Sequence, residues 1–287
     1  MIDTTAIIHP NAKIGKNVSI GPYCVVGPNV TLDDYVSLIS HVSITGYTWV
    51  GNGTTIYPFS SIGHPPQDLK YAGEESVTII GQKCVIREYV TIQPGTAGGA
   101  MKTVVGDYCL LMVSTHVAHD CILGSHIIMA NNATLGGHVQ IGDYAIIGGL
   151  CAIQQFVRIG AYAMIGGMSG VDKDVIPFGL VMGERATLHG INLVGLKRHH
   201  FQSQSIQLLQ EAYKILFLED GEKISFQERI DSLKEKYEQY RRSCDVDEDG
   251  LILNKNMDEK ERLFSILDDF FTQQSKCRYC MPQKEGS

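Results

Sequence analysis

The chain has 287 residues, 30 of them glycine and one tryptophan, and 24 basic against 31 acidic side chains give it a formal net charge of −7. That balance excludes nucleic acid as partner, because phosphate binding needs a basic footprint. No apolar run reaches the ~20 residues of a membrane span, and the region around Asp3 lacks the basic-then-apolar pattern of a signal peptide, so a cytoplasmic location is expected.

An aliphatic residue stands at every sixth position from the start: Ile8, Ile14, Ile20, Val26, Leu32, Leu38, Ile44, Val50, Ile56 and Ile62. Neither the helical period nor a two-residue alternation generates a strict six, so this is a hexapeptide repeat. Each repeat makes one short strand and one turn, with the aliphatic and the smaller residue two before it both pointing inward. Three repeats close a triangular coil, and the expected fold is a mainly β parallel β-helix. Glycine follows many of the aliphatics, as at Gly106, Gly124 and Gly160, where a permissive backbone is expected to turn the corner.

The pattern breaks at Gly63, and a loop containing Pro65-Pro66 is expected over 63–79 before the register returns at Ile80. A Gly-rich excursion is expected over 94–103. The repeat then runs without a miss from Val105 through Leu111, Val117, Leu123, Met129, Leu135, Ile141, Ile147, Ile153, Ile159 and Ile165 to Val171. Cys24, Cys84, Cys109, Cys121 and Cys151 occupy the small inward position and read as buried reduced thiols.

The repeat stops near Pro177, giving an expected division into a solenoid over 1–185 and an α-helical domain with a polar tail over 186–287. Ser203 to Phe217 places Ile206, Leu209, Tyr213 and Leu216 on one helical face. Ser225 and Glu228 form a capping box, and Asp258-x-x-Glu261 is expected to open a third helix. Asp245 to Gly250 resembles the start of a calcium loop, but Asn256 stands where the bidentate acid belongs, which favours an acidic turn. Cys277 and Cys280 form one Cys-x-x-Cys without the further ligands a zinc site needs, and no metal or cofactor is expected.

Residues three repeats apart stack in one column, so His119, Gly137 and Gln155 share one column and His116, Thr134 and Ala152 another. His138, one residue past Gly137, approaches His119. Two histidines beside a backbone bare at Gly136 and Gly137 suit acid–base chemistry, while a histidine at a solenoid corner is also an ordinary surface residue; spacing alone leaves both open. Asp68 and Lys70 are the informative part of the first loop, although the stretch by itself favours a solvated charged turn over a functional one.

The string from His116 to Cys121, the stretch Ala130 to Val139, the loop motif Gln67-Asp68-Leu69-Lys70-Tyr71-Ala72-Gly73, and Gly190-Ile191-Asn192 through Gly195-Leu196-Lys197-Arg198 together resemble the UDP-N-acetylglucosamine acyltransferases, over roughly residues 1–218. The resemblance implies a left-handed β-helix, a homotrimer with sites between neighbours, and transfer of a 3-hydroxyacyl group from acyl carrier protein to the 3-hydroxyl of UDP-N-acetylglucosamine, the first step of lipid A biosynthesis. It implies His119 as general base, Asp120 as its orienting partner, and the Gly137 N–H as oxyanion donor, the missing side chain letting the carbonyl approach. Asp68, Lys70, His116 and His138 would line the groove, and Gln155, Asn192 and Arg198 would hold donor or nucleotide. Gly167 falls where the family limits acyl length, so a long chain is expected; a mere corner glycine is the alternative. Gln154, Val194 and His199 depart from the family pattern.

Lys197, Arg198, His199 and His200, with Arg158 and Lys173 as outliers, form a candidate surface for the acidic carrier. Competing readings are a related N-acyltransferase acting on a 3-amino sugar nucleotide, which carries a further domain ahead of its solenoid; a non-catalytic solenoid subunit; and a zinc carbonic anhydrase of similar fold, whose His-x4-His spacing His116 and His119 do not match.

Overall fold

A computed structural model describes residues 1–217, 225–242, 255–273 and 275–282. Parallel strands, most only two residues long, stack into three sheets that form the walls of a triangular β-helix. The register is that of the repeat: Thr91, His116, Thr134 and Ala152 align in one ladder, and Ile92, Val117, Leu135 and Ile153 in the next. The aliphatic of each pair faces inward, so Ile44, Ile56, Leu111, Val117 and Leu135 have no exposed surface. Each contributes roughly 1.5–3 kcal/mol by leaving water, and the column of them is the core. The five inward cysteines are free and buried.

The corners turn by a different device from the expected one. At most corners the left-handed backbone falls three residues after the aliphatic, on side chains such as Tyr108, Asp120, His126, His138, Tyr144, Phe156 and Tyr162, with φ of +56° to +68°. Gly106, Gly124 and Gly160, directly after an aliphatic, have no positive φ; they are small because the next coil presses on them, and only at the loop entrance does such a glycine, Gly63 at φ +72°, turn left-handed. A Cβ on Gly106 or Gly160 would overlap the backbone of Gly124 or Pro177. Stacking offsets the strain at several corners: Tyr108, His126, Tyr144, Tyr162 and Phe178 form one continuous pile with ring centroids 4.6–5.5 Å apart.

Two loops leave the coil, and both close sooner than expected. Strands Val77–Ile80 and Lys102–Val105 have four residues each, because their early residues already pair with the neighbouring coil. An antiparallel hairpin, Gly179–Met182 with Thr187–Ile191, ends the solenoid, and the 185/186 division falls inside its turn. Among the described residues four helices follow: α1 (Leu193–Arg198), α2 (Ser203–Phe217), α3 (Phe226–Arg242) and α4 (Lys255–Thr272). Ser225 and Glu228 make both capping-box bonds, at 2.6 and 3.2 Å. Asp258-x-x-Glu261 lies within α4 rather than opening it, since Lys255, Asn256 and Met257 carry no helix breaker. Residues 245–254 of the acidic turn lie outside the described residues. A second core, built from Leu196, Leu209, Leu216, Leu233, Leu263 and Leu267, packs on Tyr162 and Phe178 at the solenoid corner.

Arg158 is not part of a docking surface. It is 5% exposed and pairs through Nε with Asp174 Oδ2 at 2.7 Å, while Nη1 donates to the carbonyls of Phe270 and Gln273. The polar tail is thereby fixed against the solenoid: Cys280 is buried, its N–H donates to the Asp174 carbonyl, and the Asp174 N–H donates to that of Arg278. The Cys277-x-x-Cys280 pair is structural packing here, with burial pushing the Cys280 thiol up to about 12.

Candidate active site

The corner after Val117 places His119 on the outer rim and Asp120, at φ +60°, beneath it. Asp120 is 4% exposed. Its Oδ2 lies 2.9 Å from His119 Nδ1 and accepts the Thr96 hydroxyl at 2.6 Å. Backbone N–H groups of Thr96 and Ala100 donate to the same carboxylate at 2.8–3.1 Å, and the Asp120 N–H donates to Thr103 Oγ1. Burial alone would raise the Asp120 carboxyl, but the Thr96 hydroxyl, His119, the Thr96 N–H and nearby His138 outweigh it and hold the group below its ordinary value. An ionised carboxylate accepts only, so the proton of His119 sits on Nδ1 and the Nε2 lone pair is left for a reacting group.

Gly137 lies in the column of His119, as the repeat predicts, but the reason for its missing side chain is new. A Cβ there would stand 2.5 Å from His119 Cε1 and 2.6 Å from Nε2. Glycine makes room for the imidazole itself. The N–H groups of Gly136 and His138 donate to the carbonyls of Ile153 and His119, whereas among the described residues no backbone carbonyl accepts from Gly137. That N–H is available to a developing anion.

His138 meets His119 edge-on at 5.0 Å and stacks on Phe156 at 4.4 Å. Its Nδ1 is 4.0 Å from Asp120 Oδ2. His116 Nδ1 lies 2.6 Å from the hydroxyl of Thr91, its ladder neighbour. Burial pushes both His116 and His138 down from the ordinary histidine value, so both are neutral at pH 7. His119, Asp120 and His138 each offer one metal-binding atom, all within 4.8 Å of one another.

The two loops are built together over this corner. Glu74 accepts from the N–H groups of Ala72 and Ala97, and Gln67 N–H donates to Gln93 Oε1. Asp68 accepts from Lys70 N–H, and its charge reaches His138. Lys70 and Gln155 are exposed, Gln155 one coil beyond Gly137.

The other predicted residues do not join His119 within one chain. Gly167 belongs to the second corner, with Gly149 one coil away. Asn192 and α1 belong to the third corner: the Asn192 Nδ2 donates to the Tyr162 carbonyl and its Oδ1 caps α1 by accepting from Gly195 N–H. Arg198 is exposed there, and His199 packs edge-on against Tyr144 and Tyr162. Thr96, Ala100 and Thr103 escaped the sequence reading. Thr103 occupies the inward small position two before Val105, a visible signal; Thr96 and Ala100 act from a loop with no period.

Residues 2–34 match the family described as bacterial transferase hexapeptide (six repeats), and residues 174–248 match that described as UDP-N-acetylglucosamine O-acyltransferase, domain 2. A Helicobacter pylori protein named acyl-(acyl-carrier-protein)–UDP-N-acetylglucosamine O-acyltransferase is 57% identical over 216 residues, 75% of this chain and 80% of the relative. One of the same name from Thermodesulfovibrio yellowstonii is 52% identical over 238 residues, 83% and 91% of the two chains. The solved UDP-N-acetylglucosamine acyltransferase of Campylobacter jejuni superposes with a TM-score of 0.83 at 32% identity, covering 99% of this chain and all 100% of its own. A crystal structure of another UDP-N-acetylglucosamine acyltransferase gives 0.84 at 42% identity, with 99% of this chain and 100% of that one covered.

Proposed function

Because the chain belongs to the UDP-N-acetylglucosamine O-acyltransferase family, we propose that it transfers a 3-hydroxyacyl group from acyl carrier protein to the 3-hydroxyl of UDP-N-acetylglucosamine, the first step of lipid A biosynthesis. The observation that carries this reading is the His119–Asp120 pair at 2.9 Å, its Nε2 free, beside bare Gly137.

His119 Nε2 takes the proton of the sugar 3-hydroxyl as that oxygen attacks the thioester carbonyl. The ionised Asp120 stabilises the imidazolium that forms. The carbonyl oxygen gains charge, which the Gly137 N–H receives. Collapse of the tetrahedral intermediate breaks the carbon–sulfur bond, and the imidazolium returns its proton to the departing carrier thiolate. His119 thus ends as it began, and no acyl-enzyme is formed. Neutral His116 and His138 keep positive charge away from the base while offering ring nitrogens to the substrate.

A homotrimer follows from the same reading. His119, Gly167 and the Asn192–Arg198 segment stand on three different corners of one solenoid, so a single site can use all of them only where corners of neighbouring copies meet. Lys197, Arg198, His199 and His200 remain the exposed basic cluster for the acidic carrier, and association should slow as salt rises. Among the described residues no helix is long and apolar enough to cross a membrane.

The test is product formation from a panel of 3-hydroxyacyl carrier proteins, with UDP-N-acetylglucosamine and its 3-amino analogue as competing acceptors. Ester product supports the proposal; amide alone supports the N-acyltransferase. Absence of both products, with stoichiometric zinc by elemental analysis, supports the anhydrase reading.

A further inference from the structure

The tail beyond α4 does more than pack. Arg158 holds the Phe270 and Gln273 carbonyls on one side. On the other, Ser275 Oγ bonds Asp174 Oδ2 and the Cys277 carbonyl, Cys277 N–H donates back to Ser275 Oγ, and Tyr279 bridges to Asp174. Lys276 lies between Ser275 and Cys277, so its backbone is fixed from both sides. Its side chain reaches over the ring of Phe156, with Nζ 4.3 Å from the centroid. Phe156 stacks on His138, and His138 meets His119. The ammonium therefore stands two rings from the base, close enough that its charge is felt at His138.

This cation has no carboxylate partner among the described residues. The tail does not need it for anchoring, because the Arg158–Asp174 pair and the backbone bonds already hold the segment. A cation held at a fixed place beside a substrate groove, solvent-accessible and unpaired, is suited to an anion that arrives with the substrate.

We propose that Lys276 is a phosphate-binding residue of the active site. The proposal rests on the acyl-transfer reading above, whose substrates present that chemistry from two sources: the diphosphate of the sugar nucleotide, and the phosphodiester of the carrier's phosphopantetheine arm. Lys276 engages one of them and sets its reacting end against His119.

Binding of UDP-N-acetylglucosamine, phosphopantetheine and phosphate-free pantetheine is measured by calorimetry on the full chain, for wild type, Lys276→Met and Lys276→Arg. Methionine keeps an apolar stem on Phe156 and removes only the charge. The expected result is a loss of about 10-fold or more in affinity for one of the two phosphates, partly restored by arginine, with pantetheine and the melting temperature unchanged. Weakened nucleotide binding assigns the diphosphate; weakened phosphopantetheine binding assigns the carrier arm. Wild-type affinity of Lys276→Met for both overturns the proposal, as does a fall in melting temperature with unchanged binding, which marks a structural lysine. Turnover is assayed in parallel: a wild type that makes no product sinks the acyl-transfer reading, while the binding comparison still decides Lys276.

Discussion

Gly137→Ala adds one methyl group and leaves the backbone N–H in place. Gly137 does not adopt a positive φ, so alanine introduces no backbone strain, and the solenoid should melt within a few degrees of wild type. The methyl group nonetheless lands 2.5 Å from His119 Cε1 and 2.6 Å from Nε2. Ordinary carbon contacts lie at about 3.5–4.0 Å, so the imidazole must retreat by about 1 Å. Such a move stretches the 2.9 Å bond to Asp120 beyond hydrogen-bond range. A 1 Å misplacement costs about 10²-fold, and complete loss of a general base about 10²- to 10⁴-fold. We expect kcat to fall by at least about 10²-fold with a much smaller change in KM for the sugar nucleotide. Steady-state kinetics and a melting curve on the same preparation decide it. A folded variant with kcat within about threefold of wild type would refute the reasoning, since the base would then not depend on the space at Gly137.

Asp120→Asn removes the charge and, with the amide oxygen kept by the Ala100 and Thr96 N–H groups, turns an NH2 donor toward His119 Nδ1, so the proton no longer stays there; kcat should drop about 10²- to 10⁴-fold with near-normal binding of UDP-N-acetylglucosamine. Gly167→Met should fold, because Gly167 has an ordinary φ and a Cβ there comes no closer than 3.3 Å, to the Gly149 carbonyl; donor preference should shift to shorter chains, by about 0.8 kcal/mol for each methylene denied a place, and an unaltered donor profile contradicts the role given to this residue. Asp174→Ala leaves Arg158 buried without its partner and should cost about 3–5 kcal/mol of stability, read by thermal melting and by proteolysis of the tail. Stability should also fall with acid in two windows. Below about pH 6.5 the unfolded chain binds protons that native His116 and His138 refuse, so stability drops as pH falls toward their lowered native values; lower still, near the ordinary carboxylate range, the contribution of Asp120 is lost as pH passes its native value. His116→Gln/His138→Gln should shrink the first window in melting temperatures recorded from pH 7 to pH 5, leaving the share of His64 and His199, which burial also lowers.

The repeat made the solenoid legible because one rule, an inward aliphatic every sixth residue, is imposed by the core and tolerates few exceptions. It also placed Gly137 and Gln155 in the column of His119, and His138 beside it. What it could not supply was the cause of local choices. The glycines after the aliphatics suggested that they turn the corners, yet the turn is carried by Tyr108, Asp120, His138 and Phe156, and Gly106 and Gly160 answer to close coil stacking. Arg158 looked like a surface cation because its partner Asp174 and the carbonyls it holds at Phe270 and Gln273 are distant in the chain or hidden in its backbone. Thr96 and Ala100 act through loop backbone geometry, which leaves no periodic trace. The corners that separate His119 from Gly167 and Asn192 are legible by counting sixes; their meeting in one site belongs to the proposed trimer, which one chain's repeat does not encode.

The central claim is that His119 takes the proton in acyl transfer to UDP-N-acetylglucosamine. Single-turnover transfer from a 3-hydroxyacyl carrier protein, with wild type and His119→Ala side by side and circular dichroism confirming that both fold, tests it most directly. Ester product is expected from wild type and a rate lower by about 10²- to 10⁴-fold in the variant, with nucleotide binding retained. A folded His119→Ala enzyme that turns over at the wild-type rate would contradict it.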